Sequence, residues 1–122
     1  MRVLLDSVIL IDHFNGLGGA TSYLKETEGQ SFISVITRAE VLSGFDAGGA
    51  AQALRLLERF PTLAIEREAA DLAAELRRAH RWRLPDAFQA ALAKLHGLRL
   101  ATRNVRDFSP QRFDFVVVPY RV

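Results

Sequence analysis

Four acidic residues stand where chemistry could gather: Asp6 directly after the apolar run Val3-Leu4-Leu5, Glu40 one helical turn beyond Thr37, Asp86 behind Pro85, and Asp107 downstream of Thr102 and Asn104. In open parallel sheets ligands bind outside the carboxyl ends of the strands, so acids just past strand-like runs carry special weight. Carboxylates gathered at one edge repel and raise each other's pKa unless a cation neutralises them. An all-oxygen ligand set favours Mg²⁺ or Mn²⁺ over zinc. With one or two such ions to lower the pKa of a water, orient it for in-line attack and stabilise the leaving oxygen, acids alone would suffice to cleave a phosphodiester.

Each of these residues also has a purely structural reading. Asp6 can cap a helix starting near Val8. Thr37-Arg38-Ala39-Glu40 reads as a capping box. Pro85-Asp86 suits a first helical turn, where proline is tolerated and an acid complements the dipole. Asn104 and Asp107 can serve as turn and cap residues ahead of Phe108-Ser109-Pro110. What favours chemistry is convergence of all of them on one edge.

Other chemistries find less support. The chain has no cysteine, which excludes disulfides, thiolate metal sites and cysteine nucleophiles. His13, His80 and His96 show no metal-ligand spacing. A Ser-His-Asp triad would lack its nucleophile elbow.

The elements that must position the acids can be read from hydrophobic period. Short apolar runs at Val3 to Leu5, Phe32 to Ile36, Leu63 to Ile65, Leu98 to Ala101 and Phe115 to Val118 read as strands. Ala50 to Phe60 and Arg67 to Arg78 each place apolar residues on one helical face. Asp86 to His96 is Ala-rich and apolar nearly all round, as for a helix packed between two surfaces. Alternating β and α elements with short apolar strands predict a three-layer α/β/α sandwich around a mostly parallel five-stranded sheet. The glycines of Asn15 to Gly19 and of Gly44 to Gly49 follow helical stretches and read as helix terminators rather than a phosphate cradle.

A chain of 122 residues, about half apolar, fits one domain spanning 1–122. No window approaches the ~20 apolar residues of a membrane span, so a cytoplasmic protein is expected. The net charge is only +2, but Arg77, Arg78, His80, Arg81 and Arg83 crowd one stretch around Trp82. Such a patch attracts polyanions by counterion release; it could equally be a solvated helix end, where cations favour the dipole.

Four segments together resemble the PIN-domain nucleases, specifically the VapC-type toxins of bacterial toxin–antitoxin pairs: Leu4 to Asp12, Ser34 to Val41, Leu84 to Ala93 and Ala101 to Phe108. The resemblance covers nearly the whole chain. It implies that Asp6, Glu40 and Asp86 bind Mg²⁺ or Mn²⁺ and activate water. It places the fourth acidic role after the fourth strand, where Asp107 is the expected acid and Asn104 holds a ligand or substrate oxygen. Ser7, Thr37 and Thr102 become supporting hydroxyls, while Asp12 is expected on the helix surface. The resemblance further implies an RNA substrate, a homodimer and inhibition by a cognate antitoxin. An RNA reading gains from Arg77, Arg78, Arg81 and Arg83, and from Trp82, which could stack on an unpaired base or serve as a partly buried anchor.

Two alternatives compete. One is a PIN-type binding module for RNA or a partner with an incomplete metal site, which Asn104 would favour. The other is a receiver domain of a signalling relay, which needs paired acids after the first strand and a lysine after the fifth; Asp6 stands beside Ser7, and the last run leads to Pro119-Tyr120-Arg121.

Overall fold

The computed structural model describes residues 1–122. Val3–Leu5 (β1) is wholly buried because it is the middle strand of a sheet covered on both faces. It pairs with Ser31–Ser34 (β2) on one side and Arg99–Ala101 (β4) on the other; Thr62–Leu63 (β3) and Val116–Val117 (β5) complete the edges. The order is β3-β2-β1-β4-β5, and every neighbouring pair is parallel. A receiver-type sheet would run 2-1-3-4-5, so that alternative is set aside.

Strand alternation sends side chains to two separate cores. Leu4, Leu100 and Val116 face a cluster with Trp82, Leu92, Leu98 and Phe108. Val3, Leu5, Ile33 and Ala101 face Ile9, Leu10, Val41 and Leu57. Two helices, Arg67–His80 (α5) and Leu84–Leu95 (α6), supply the first layer, while Ser7–Phe14 (α1), Val35–Ser43 (α3) and Ala47–Leu57 (α4) supply the second. The architecture is therefore the three-layer α/β/α sandwich read from the alternating runs. The Ala-rich face of α6 lets it approach closely: Ala87 and Ala91 pack on Ala73 of α5.

The differences from the sequence reading are local. Gly18 and Gly19 do not terminate a helix but begin one, Gly18–Glu26 (α2), which the glycine run had concealed. Gly48 and Gly49 likewise sit inside the first turn of α4, whose cap is Asp46 accepting from the Gly49 N–H at 3.0 Å. The second strand stops at Ser34 rather than Ile36, because the Ser34 hydroxyl caps α3 by accepting from the Thr37 N–H at 3.1 Å. Thr37 is thus the third residue of that helix and not its cap, so the capping box does not form. No helix is long and apolar enough to cross a membrane.

Arg81 ends α5 in the left-handed conformation at φ 59°, its N–H donating to the Arg77 carbonyl. A non-glycine residue there costs about 1 kcal/mol. The bend turns Trp82 inward, where the ring is buried against His80, Phe108 and Phe113 with centroids 4.4 to 5.2 Å apart.

Candidate active site

The carboxyl ends of β1, β2 and β4 open onto one edge, and the sequence-selected polar residues meet there. Asp6 leaves β1 and caps α1, its Oδ1 accepting from the Ser7 N–H at 2.9 Å. Its Oδ2 accepts from the Thr102 hydroxyl at 2.7 Å, which crosses from the end of β4. The side chain is buried, and desolvation pushes its pKa above the usual carboxylate range, against the lowering effect of the Thr102, Ser7 and Gln89 hydrogen bonds.

Gln89, which no sequence signal had singled out, connects these parts. It lies buried on α6, and its amide N–H₂ donates to the Thr37 hydroxyl at 2.7 Å and to Asp6 Oδ1 at 3.4 Å, while its carbonyl accepts from the Ser34 hydroxyl at 2.7 Å. Thr37 in turn donates to the Leu5 carbonyl at 3.2 Å. Ser34, Thr37, Gln89, Asp6 and Thr102 therefore form one closed network beneath the site, and no buried side-chain polar atom lacks a partner. The one clue in the sequence was a polar residue in the middle of a helix that is apolar nearly all round.

Asp86 stands in the first turn of α6 and is half-buried. Its pKa is pushed up to about 6, first by desolvation, then by the charges of Asp6, Asp107 and Glu40, with Arg83 opposing. Four acids from four segments thus share one electrostatic neighbourhood. Glu40 lies on α3 and is exposed. Asp107 is held by its neighbour: the Asn104 amide donates to Asp107 Oδ2 at 3.1 Å, and the Asn104 carbonyl oxygen accepts from the Asp107 N–H at 3.4 Å. From below, the Trp82 indole N–H donates to the Asp107 carbonyl at 3.1 Å.

As they stand, no three acids lie close enough to enclose an ion. The set grades from buried Asp6 through half-buried Asp86 and Asp107 to exposed Glu40, and a loose all-oxygen set of this kind suits Mg²⁺ or Mn²⁺, ions that keep several waters and take only one or two carboxylates directly. Beyond desolvation, the charges of Asp6, Asp107 and Glu40 that help raise Asp86 are a repulsion a cation would relieve, so the residues present fit a hard divalent ion.

Two expectations are corrected. Trp82 is buried and cannot stack on a base; it answers to its other reading, as an anchor. Asp12 is not a surface residue but is buried on α1, where it accepts from Arg103 Nε at 2.7 Å, from Arg103 Nη2 at 2.8 Å and from the Tyr120 hydroxyl at 2.7 Å. Arg77, Arg78, Arg81 and Arg83 are all exposed and take no part in an ion pair.

The comparisons with known proteins agree with this geometry. The family model for the PIN domain matches residues 3–112. Ribonuclease VapC10 from Mycobacterium tuberculosis is 36% identical over 127 aligned positions, covering 98% of this chain and 94% of that protein. Among solved structures, a toxin-antitoxin complex from Klebsiella pneumoniae superposes with a TM-score of 0.90 at 37% identity, covering 99% of this chain and 100% of the matched one. FitAcB from Neisseria gonorrhoeae superposes at 0.81 over 99% of this chain and 100% of the matched one, and at 22% identity it speaks for the fold alone. With the sheet order, the acidic edge and these relatives in agreement, the chain belongs to the PIN-domain family and to its VapC-type members.

Proposed function

We propose that this protein is a metal-dependent endoribonuclease acting as the toxin of a toxin–antitoxin pair. The observation that carries the reading is the gathering of four acids from four segments: Asp86 titrates near 6 first because it is desolvated, and the charges of Asp6, Asp107 and Glu40 add to the rise, a concentration of negative charge that a cation and a phosphodiester would use. The ribonuclease named among its relatives supports RNA as substrate, and the solved toxin-antitoxin complex supports a cognate antitoxin as partner. A homodimer working in the cytoplasm is the setting that fits this family.

Asp6, Glu40, Asp86 and Asp107 would hold Mg²⁺ or Mn²⁺. When bound, such an ion supplies a water of lowered pKa and positive charge for the phosphodiester oxygens. The chain's own contribution is positional. Thr102 and the Ser7 N–H keep the Asp6 carboxylate aimed out of the sheet edge, Gln89 ties α3 and α6 to it, and Asn104 fixes the rotamer of Asp107. Arg83, whose charge reaches Asp86, is exposed, as are Arg81, Arg78 and Arg77, and together they supply positive charge for an RNA backbone.

The test is incubation of total RNA with purified protein in Mg²⁺, in Mn²⁺ and in chelator, beside Asp86→Asn prepared identically. Metal-dependent fragments missing from the variant are expected. Intact RNA in every lane, with parent and variant alike in metal-induced stabilisation, would favour the binding module without catalysis.

A further inference from the structure

Thr102 and Arg103 are adjacent, and each binds a different aspartate of the α1 segment. Thr102 donates to Asp6 at the start of the helix, and Arg103 forms a two-point ion pair with Asp12 near its end. Tyr120, beyond β5, adds a third donor to Asp12 Oδ2 and seats its ring on Gly19 of α2, where an added Cβ would lie 3.1 Å from it. The Arg103 pair is far from a surface ornament, because Asp12 is only 5% exposed and the guanidinium meets it fork to fork, the geometry in which such pairs are strongest. The segment this anchors is short and carries the site: Thr102 accepts from the Asn104 N–H at 3.0 Å, and Asn104 orients Asp107.

We propose that Asp12, Arg103 and Tyr120 form a clamp that sets the segment Thr102–Asp107 against Asp6, making all three positioning residues for the ion-binding edge. The inference rests on the metal-dependent reading above for its functional meaning and on geometry alone for its mechanical one. Without the clamp the strand end β4 keeps its ladder to β1 and β5, and the Thr102 N–H keeps its bond to the Val117 carbonyl, but from Arg103 to Asp107 the only remaining hydrogen bond to the body of the protein is the Trp82 indole on the Asp107 carbonyl, before Phe108 enters the core. The acid most affected is Asp107, because the Asn104 that orients it lies just beyond the clamped arginine.

The experiment compares the parent with Arg103→Gln and Tyr120→Phe, the latter removing one hydroxyl without emptying the site. Backbone hydrogen exchange is read in metal-free protein, and Mn²⁺ binding by calorimetry well below the melting temperature. In Arg103→Gln the Asn104 and Phe108 amides, bonded to Thr102 Oγ1 and the Asn104 carbonyl, should exchange at least about tenfold faster. The Leu100 amide, bonded to the Phe115 carbonyl within the sheet, should not change. Mn²⁺ should bind about tenfold more weakly, with Tyr120→Phe shifted the same way and less. Loop exchange that stays at the parent's rate overturns the proposal, and so does a loosened loop with unchanged Mn²⁺ affinity. A parent that takes up no Mn²⁺ would instead overturn the metal reading, and the exchange data would then decide the clamp by themselves.

Discussion

The Thr102 hydroxyl and the Asp6 carboxylate meet at 2.7 Å across the β1–β4 pair, so that the end of one strand holds the acid at the end of the other. Both groups are buried. The contact fixes the carboxylate without neutralising it, because a hydroxyl donates a hydrogen bond but no charge. Thr102→Val should therefore lower metal affinity by about 10- to 100-fold and cost about 1–3 kcal/mol of stability from the unpaired oxygen. Calorimetric metal titration and denaturant unfolding of the same preparation check both.

The raised pKa of Asp86 makes stability depend on pH in a definite direction. In unfolded chain the group titrates near 3.8 and in the folded chain near 6, so the folded state binds the proton more tightly. Stability of the chelated protein should fall as pH rises from about 4 through 6, by roughly 1–3 kcal/mol from this group, and stay at the lower level above it. Asp86→Asn should remove this group's share of the decline, leaving the part due to Asp6, whose pKa burial also raises; it should melt higher than the parent at pH 7.5 in chelator and cleave no RNA. Melting curves across pH, together with the RNA assay, provide the check.

Gln89→Leu should be among the costlier single changes outside the hydrophobic clusters. It leaves the Ser34 and Thr37 hydroxyls and Asp6 Oδ1 without their shared partner, a loss of about 2–4 kcal/mol. Urea unfolding measures it, and an unchanged midpoint would show that the network contributes nothing.

Replacing Arg77, Arg78 and Arg83 together by alanine should weaken binding of a non-cleavable single-stranded RNA and lower the slope of log K against log salt by about 2, at roughly 0.7 per lost phosphate contact. Trp82→Ala should instead act through the fold, since the indole fills a core and its N–H holds the Asp107 carbonyl; a loss of about 3–5 kcal/mol is expected. Binding isotherms at several salt concentrations separate the two effects from each other.

What the sequence disclosed was what local pattern encodes. Asp6 after an apolar run and Asp86 behind a proline were visible because strand ends and helix starts leave short-range marks, and the two-sided sheet followed from runs such as Val3–Leu5 that are apolar throughout. The second helix was hidden because glycines at its first positions look like those that end helices. Asp12 misled for a different reason: its partners Arg103 and Tyr120 lie 91 and 108 residues away, and no spacing rule anticipates a pair made by the folded topology. Gln89 was masked by the alanines around it, since a helix read for its apolar face gives no weight to one amide.

Thr102 reaches Asp6 across 96 residues of intervening chain. A contact between groups so far apart is repaid only when the sheet that joins them has assembled, because the loop between them must first be closed. The acidic edge is therefore expected to be ordered late in folding, and a partly folded molecule has the acids without the arrangement.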